Sequence, residues 1–203
     1  MANSATQYGF QHIGYLSGFA ADYQHSSYAI QSTLATTIGF GDPVCRVNST
    51  SPYITRMPAN TNATVPMLGI FVGCQVTPSG GLGIPQWSPG YTAPTLVGDA
   101  VAYVIDAPGA KFKVAVLATA ITTANIGQAV NFTGGAPSTT GQMLSTATVD
   151  QSTAKTTFTT ASLLPFRIVG LYKGIGNGSD PTTNFNWVEV TFNNQIFRSL
   201  AGF

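Results

Sequence analysis

Asp22 is the acidic residue closest to either histidine, and with His25 it makes an Asp-x-x-His pair. An imidazole steadied by a carboxylate is the base half of a nucleophilic or general acid–base machine, but the machine also needs a nucleophile held by geometry that spacing does not supply. Ser and Asp recur throughout this chain, so the pair specifies no reaction, and no catalytic residue is assigned. The seven acids are scattered, Glu189 is the only glutamate, and Cys45, Cys74, His12 and His25 fall into no metal-ligand spacing. The expectation is a protein that is not an enzyme and uses neither metal nor cofactor.

Ser79-Gly80-Gly81-Leu82-Gly83 and the run from Gly174 to Gly178 have the looseness of a phosphate cradle. Neither leads into Lys-Ser/Thr or a helix, so both read as loop tips. Asp42, Asp99 and Asp106 each stand at a Gly or Pro turn, where an Asp side chain satisfies local backbone amides. Trp87 and Tyr91 sit in a Gly- and Pro-rich loop from Pro78 to Pro94. Three uses are open to them: a platform for a sugar ring, a subunit contact, or a loop pinned by its own aromatics.

The elements that position these residues begin with an unusual segment. Met1 to Ala20 carries Tyr8, Phe10, His12, Ile13, Tyr15, Leu16 and Phe19 among Gly, Ser and Gln, without an acidic or basic side chain. No single helical or strand period gathers these onto one face, so residues 1–40 read as a docking arm and its lead-in ahead of one β-rich domain at 41–203. The segment lacks the basic and apolar regions of a secretory signal, which points to synthesis in a bacterial cytosol and leaves the four Asn-x-Ser/Thr sequons unmodified.

Only 7% of residues are charged, against about 25% in an average chain. Polarity comes from Ser, Thr, Asn and Gln, which lose less than Lys or Glu when a neighbour covers them. A net charge of +1 provides no field for nucleic acid. Cys45 and Cys74, in apolar strand-like stretches, read as buried thiols in preference to a bridge.

Short strands separated by Gly, Pro and Asn fill the body. Val44 to Val47 and Tyr53 to Met57 predict a hairpin. Val101, Tyr103 and Ile105 share one face of a strand that turns at Asp106 to Gly109 into Phe112, Val114 and Val116, which predicts a second. Thr122 to Gly127 has room for one helical turn, Ala118 to Thr160 reads as exposed strand with little core, and the strongest strands are 166–171 and 187–192. Together they predict an all-β fold, an antiparallel barrel or sandwich, jelly-roll-like, with the extended arm and long Gly/Pro-rich loops.

Several stretches, in order along most of the chain, resemble the capsid cement, or decoration, proteins of tailed bacteriophages, especially short-tailed phages of aquatic bacteria. They are Met1-Ala2-Asn3-Ser4 with Tyr8 to Gly18, Gly41-Asp42-Pro43-Val44, Gly69 to Cys74, Gly98 to Pro108, Arg167 to Tyr172, and Val188 to Asn194. The resemblance implies a structural virion protein that binds the outer surface of the capsid, bridges capsomers and resists the pressure of packaged DNA. It implies the major capsid protein as partner, and copies of itself, a trimer ahead of a dimer, with no nucleic acid or membrane contacted directly. Tyr8, Phe10, His12, Ile13, Tyr15, Leu16 and Phe19 would then be the capsid interface. The competing expectation is a carbohydrate-binding or host-recognition module with Trp87 and Tyr91 as stacking residues.

Overall fold

The computed structural model describes residues 8–48, 50–59, 66–80, 83–92, 96–117, 119–134, 137, 142–155, 163–176 and 178–198. The opening Met1 to Ser4, the sequon at Asn62, Phe158 and Asn177 lie outside them. Among the described residues, twelve strands form two antiparallel sheets of six packed as a sandwich. The N-sheet holds β2 (Ser26–Ile30), β3 (Pro43–Arg46), β4 (Ile54–Arg56), β5 (Met67–Val76), β6 (Gln86–Ser88) and β7 (Ala100–Ile105). The C-sheet holds β8 (Ala110–Ala115), β9 (Ala129–Thr133), β10 (Thr148–Lys155), β11 (Phe166–Leu171) and β12 (Trp187–Phe192), with β1 (Gln11–Tyr15) on its edge.

The spatial orders are β2-β7-β5-β3-β4, with β6 also on β5, and β1-β8-β12-β11-β9-β10. Among the described residues the chain changes sheet only twice, between β1 and β2 and between β7 and β8. It therefore lacks the alternation of strands between sheets that makes a jelly roll, and no closed barrel forms. The predicted β3–β4 hairpin is present. The second hairpin is not: β7 and β8 lie in different sheets, because the tight turn at Ala107 to Ala110 redirects the chain across the sandwich.

Without β1 and β6, the two sheets repeat one design. In each, the first strand pairs with the fifth, the fifth with the fourth, the fourth with the second and the second with the third. A single parallel bridge then curls first strand towards third, Ala29 to Tyr53 in the N-sheet and Val116 to Val149 in the C-sheet. The match extends to individual bonds. Gly41 N–H donates to Phe71 O at 2.8 Å and Phe71 N–H to Asp42 O at 2.9 Å; Gly127 N–H donates to Ile168 O at 2.8 Å and Ile168 N–H to Gln128 O at 3.0 Å. Both glycines have positive φ, 89° and 88°, where a Cβ is disfavoured. One extra residue then bulges the fourth strand, after Phe71 in β5 and after Ile168 in β11.

Alternation, interrupted by a register slip in β5, sorts the side chains into two main cores. The larger takes Phe112, Val114, Phe166, Ile168, Val190 and Phe192 from the C-sheet and Met67, Ile70 and Ile105 from the N-sheet. The other, with Leu68, Phe71, Cys74 and Val104, lies on the opposite face of the N-sheet. Cys45 and Cys74 are free and occupy different cores, and burial pushes their thiols up to about 11 and about 12.

Two expectations are corrected here. The segment 118–160 does build core: Ile121, Val130, Phe132, Ala147 and Val149 are buried, because each of these modest apolar groups falls on the inner face. The single helical turn exists as a 3-10 turn at Thr123–Asn125. The segment 8–40 is not a free arm. Gln11 to Tyr15 pairs with β8, Phe10 is 1% exposed and stacks on Phe166 at 4.2 Å, and His12 is buried against Phe112.

Candidate binding groove

Register places Trp87, Gln75 and Val101 in one row across β6, β5 and β7. Directly paired residues share a face. It is the face through which Ile70 and Val72 reach the larger core, but at this end it is open: Gln75 and Val101 are exposed, and Trp87 is 63% exposed. Gly73, in the bulge of β5, makes room for the indole. A Cβ there would stand 3.0 Å from Trp87 Nε1 and 3.1 Å from Cζ2, on a backbone with φ of 128°.

Tyr23, His25, Phe40, Val72, Trp87 and Tyr103 line a groove of about 360 Å³ at this place. Tyr23 enters it from the loop between β1 and β2 with φ of 54°, a left-handed backbone that costs an L residue about 1–2 kcal/mol. The loop is tied down against that cost. The Tyr15 hydroxyl donates to Asp22 Oδ1 at 2.5 Å, Gln24 N–H donates to the same oxygen at 3.0 Å, and His25 Nδ1 donates to the Tyr23 carbonyl at 3.1 Å. Burial, then the bond to Asp22, pushes the Tyr15 hydroxyl up to about 12, while that bond holds the Asp22 carboxyl below the usual range. The Asp22 and His25 side chains therefore bond to other groups and not to each other.

The remaining expected site residues divide by burial. His12 donates from Nε2 to Gly14 O at 3.0 Å, its Nδ1 has no partner, and burial lowers its pKa. Phe10 and His12 are thus packing groups and are corrected as capsid-interface candidates. Tyr91 is also corrected: it is 0% exposed, packs in the second core, and donates its hydroxyl to Gln31 O at 2.9 Å, so no ligand can stack on it. Ile13 and Tyr15 are half-buried, and Tyr8, partly exposed, leans on Trp187 with ring centroids 6.2 Å apart. Leu16 and Phe19 remain exposed, at 47% and 74%.

The turn aspartates act as staples. Asp42 accepts a local bond from Gly39 N–H at 2.7 Å and a distant one from the Ser145 hydroxyl, and burial pushes it up to about 6. Asp99 and Asp106 depart from local turn duty. Asp99 accepts from Ser32 N–H at 2.9 Å and Tyr53 Oη at 2.8 Å, and Asp106 accepts from Ser26 Oγ at 3.0 Å and Tyr28 Oη at 2.6 Å.

Sequence reasoning missed Tyr23, Phe40, Val72, Gly73 and Tyr103 as groove residues. Only the alternation of Val101, Tyr103 and Ile105 hinted at one of them. Comparison with protein-family models, curated proteins and solved structures gives no match. What the chain itself defines is an all-β sandwich with an aromatic groove at one end of the N-sheet.

Proposed function

We propose that this chain is a structural virion protein, a capsid cement or decoration protein that binds the outside of a phage head and bridges its capsomers. The observation that carries the reading is the loop between β1 and β2, which holds Leu16 and Phe19 in solvent on a fixed backbone. Tyr15 N–H donates to Phe19 O at 3.0 Å, Gly18 N–H to Tyr15 O at 3.0 Å and Leu16 N–H to Gly109 O at 2.8 Å. A preformed apolar knob loses less entropy on docking than a segment that orders on contact. The low charge supports the same reading, since neutral surface is covered by a neighbour at small desolvation cost.

In this role the partners are the major capsid protein and other copies of the chain, as a trimer in preference to a dimer. The place is the outer surface of the virion, after synthesis in the host cytoplasm. Incubating the purified protein with expanded and unexpanded shells, followed by electron cryomicroscopy, tests the reading. Ordered density on expanded shells, lost with Leu16→Ser/Phe19→Ser, is expected; absence of density on either shell form refutes it.

A further inference from the structure

The groove is not an accident of one loop, because the repeated design builds it twice. Matching the two sheets through their shared bonds sets Phe40 against Ile126, Val72 against Val169, and Tyr103 against Glu189. Ile126, Val169, Gly170, Glu189 and Lys173 line a groove of about 440 Å³ in the C-sheet. The same place in each sheet's own frame is therefore concave, on the face towards the larger core in the N-sheet and on the face away from it in the C-sheet, with different chemistry.

In the C-sheet groove Glu189 is paired with Lys111 at 3.0 Å, and its cross-strand partner Lys113 lies over the rings of Trp187 and Tyr172 at 5.0 and 5.2 Å. One cation, Lys113, thus covers the aromatic faces beside that groove. In the N-sheet the positions of Glu189 and Lys113 are held by Tyr103 and Ser27, and among the described residues neither acid nor Lys or Arg lines the groove. Trp87 keeps most of its surface in water, Gly73 lacks the side chain that would displace it, and Tyr23 is held in a strained conformation at the rim. Strain and exposed aromatic surface maintained at one spot mark a site for a ligand.

We propose that the N-sheet groove binds a neutral glycan, with a pyranose ring stacked on Trp87. An uncharged ring with one apolar C–H face suits an indole, and its hydroxyls suit the neutral polar groups beside it, Gln75 next to Trp87 and Ser27 next to Tyr103. The volume is at the lower end of small-ligand pockets, enough for a short stretch of sugar. A quaternary ammonium ion also favours aromatic walls, but among the described residues no carboxylate lines the groove to hold it.

Isothermal titration of the full chain with the tetrasaccharides of β-1,4-glucose, β-1,4-N-acetylglucosamine and α-1,4-glucose, and with choline, tests the proposal. At least one tetrasaccharide is expected to saturate below about 10 mM, with Trp87→Ala weakening it by about tenfold or more and Lys113→Ala leaving it unchanged. Circular dichroism checks that Trp87→Ala is folded; Gln75→Ala, a milder change at the same row, is expected to weaken the same sugar. Binding of choline alone, binding indifferent to both Trp87→Ala and Gln75→Ala, or no binding by any of the three sugars overturns it. Trp87→Ala is also applied to phage shells: loss of shell attachment without any sugar affinity assigns the groove to a protein contact instead.

Discussion

At the scale of single residues, burial decides what each polar or aromatic group does. Asp42 has its pKa raised from 3.8 to about 6 by desolvation. A carboxyl raised in the folded state contributes stability that is full below its unfolded pKa and is lost as pH rises through the folded one. Urea unfolding should therefore show the wild type losing about 2–3 kcal/mol relative to Asp42→Asn between pH 4 and pH 7. A difference between the two that stays constant over this window contradicts the assignment. Gly73 is the second such residue. Gly73→Ala forces a Cβ into the left-handed region and against the indole, so thermal unfolding should show a loss of about 1–2 kcal/mol, and Trp87 should become more susceptible to fluorescence quenching by acrylamide. Unchanged stability and unchanged quenching mean that the indole does not rest on this glycine.

At the scale of elements, β1 is where sequence and structure part most clearly. Its residues alternate in the strand as half-buried Gln11, buried His12, half-buried Ile13, but the register slips between His12 and Gly14. That slip is why no clean period is visible in the sequence. Phe10→Ala is expected to destabilise the protein by about 3–5 kcal/mol, and removal of residues 1–20 to expose the edge of β8 and the core beneath Phe10. Denaturant midpoints check both; a truncated chain as stable as the whole would restore the free arm. The β3–β4 hairpin and the strands 166–171 and 187–192 were legible because turn residues and alternation agree locally. The β7 to β8 link was not, since a tight turn between two strands looks the same in sequence whether they pair or separate into two sheets. Val101, Tyr103 and Ile105 do share a face. Which end of that face is covered depends on the other sheet, and so the groove was only half visible.

At the scale of the whole molecule, the repeated five-strand design escapes the sequence because corresponding residues differ in kind: Gly41-Asp42-Pro43-Val44 answers to Gly127-Gln128-Ala129-Val130, and only the left-handed glycine and the buried valine remain. In the proposed role, the exposed loop with Leu16 and Phe19 and the near-balanced charge together set how the protein should hold to a shell. Raising ionic strength shortens the Debye length from about 10 Å at 0.1 M to about 3 Å at 1 M, which weakens attraction between exposed charges and leaves apolar burial intact. The most direct measurement is the amount of protein bound to purified expanded shells across that salt range, for wild type and for Leu16→Ser/Phe19→Ser. The expected result is wild-type occupancy that holds to 1 M salt and a double variant that is folded but fails to bind. Wild type released well below 1 M from intact shells, or a double variant that binds as well as wild type, would contradict attachment through the apolar loop.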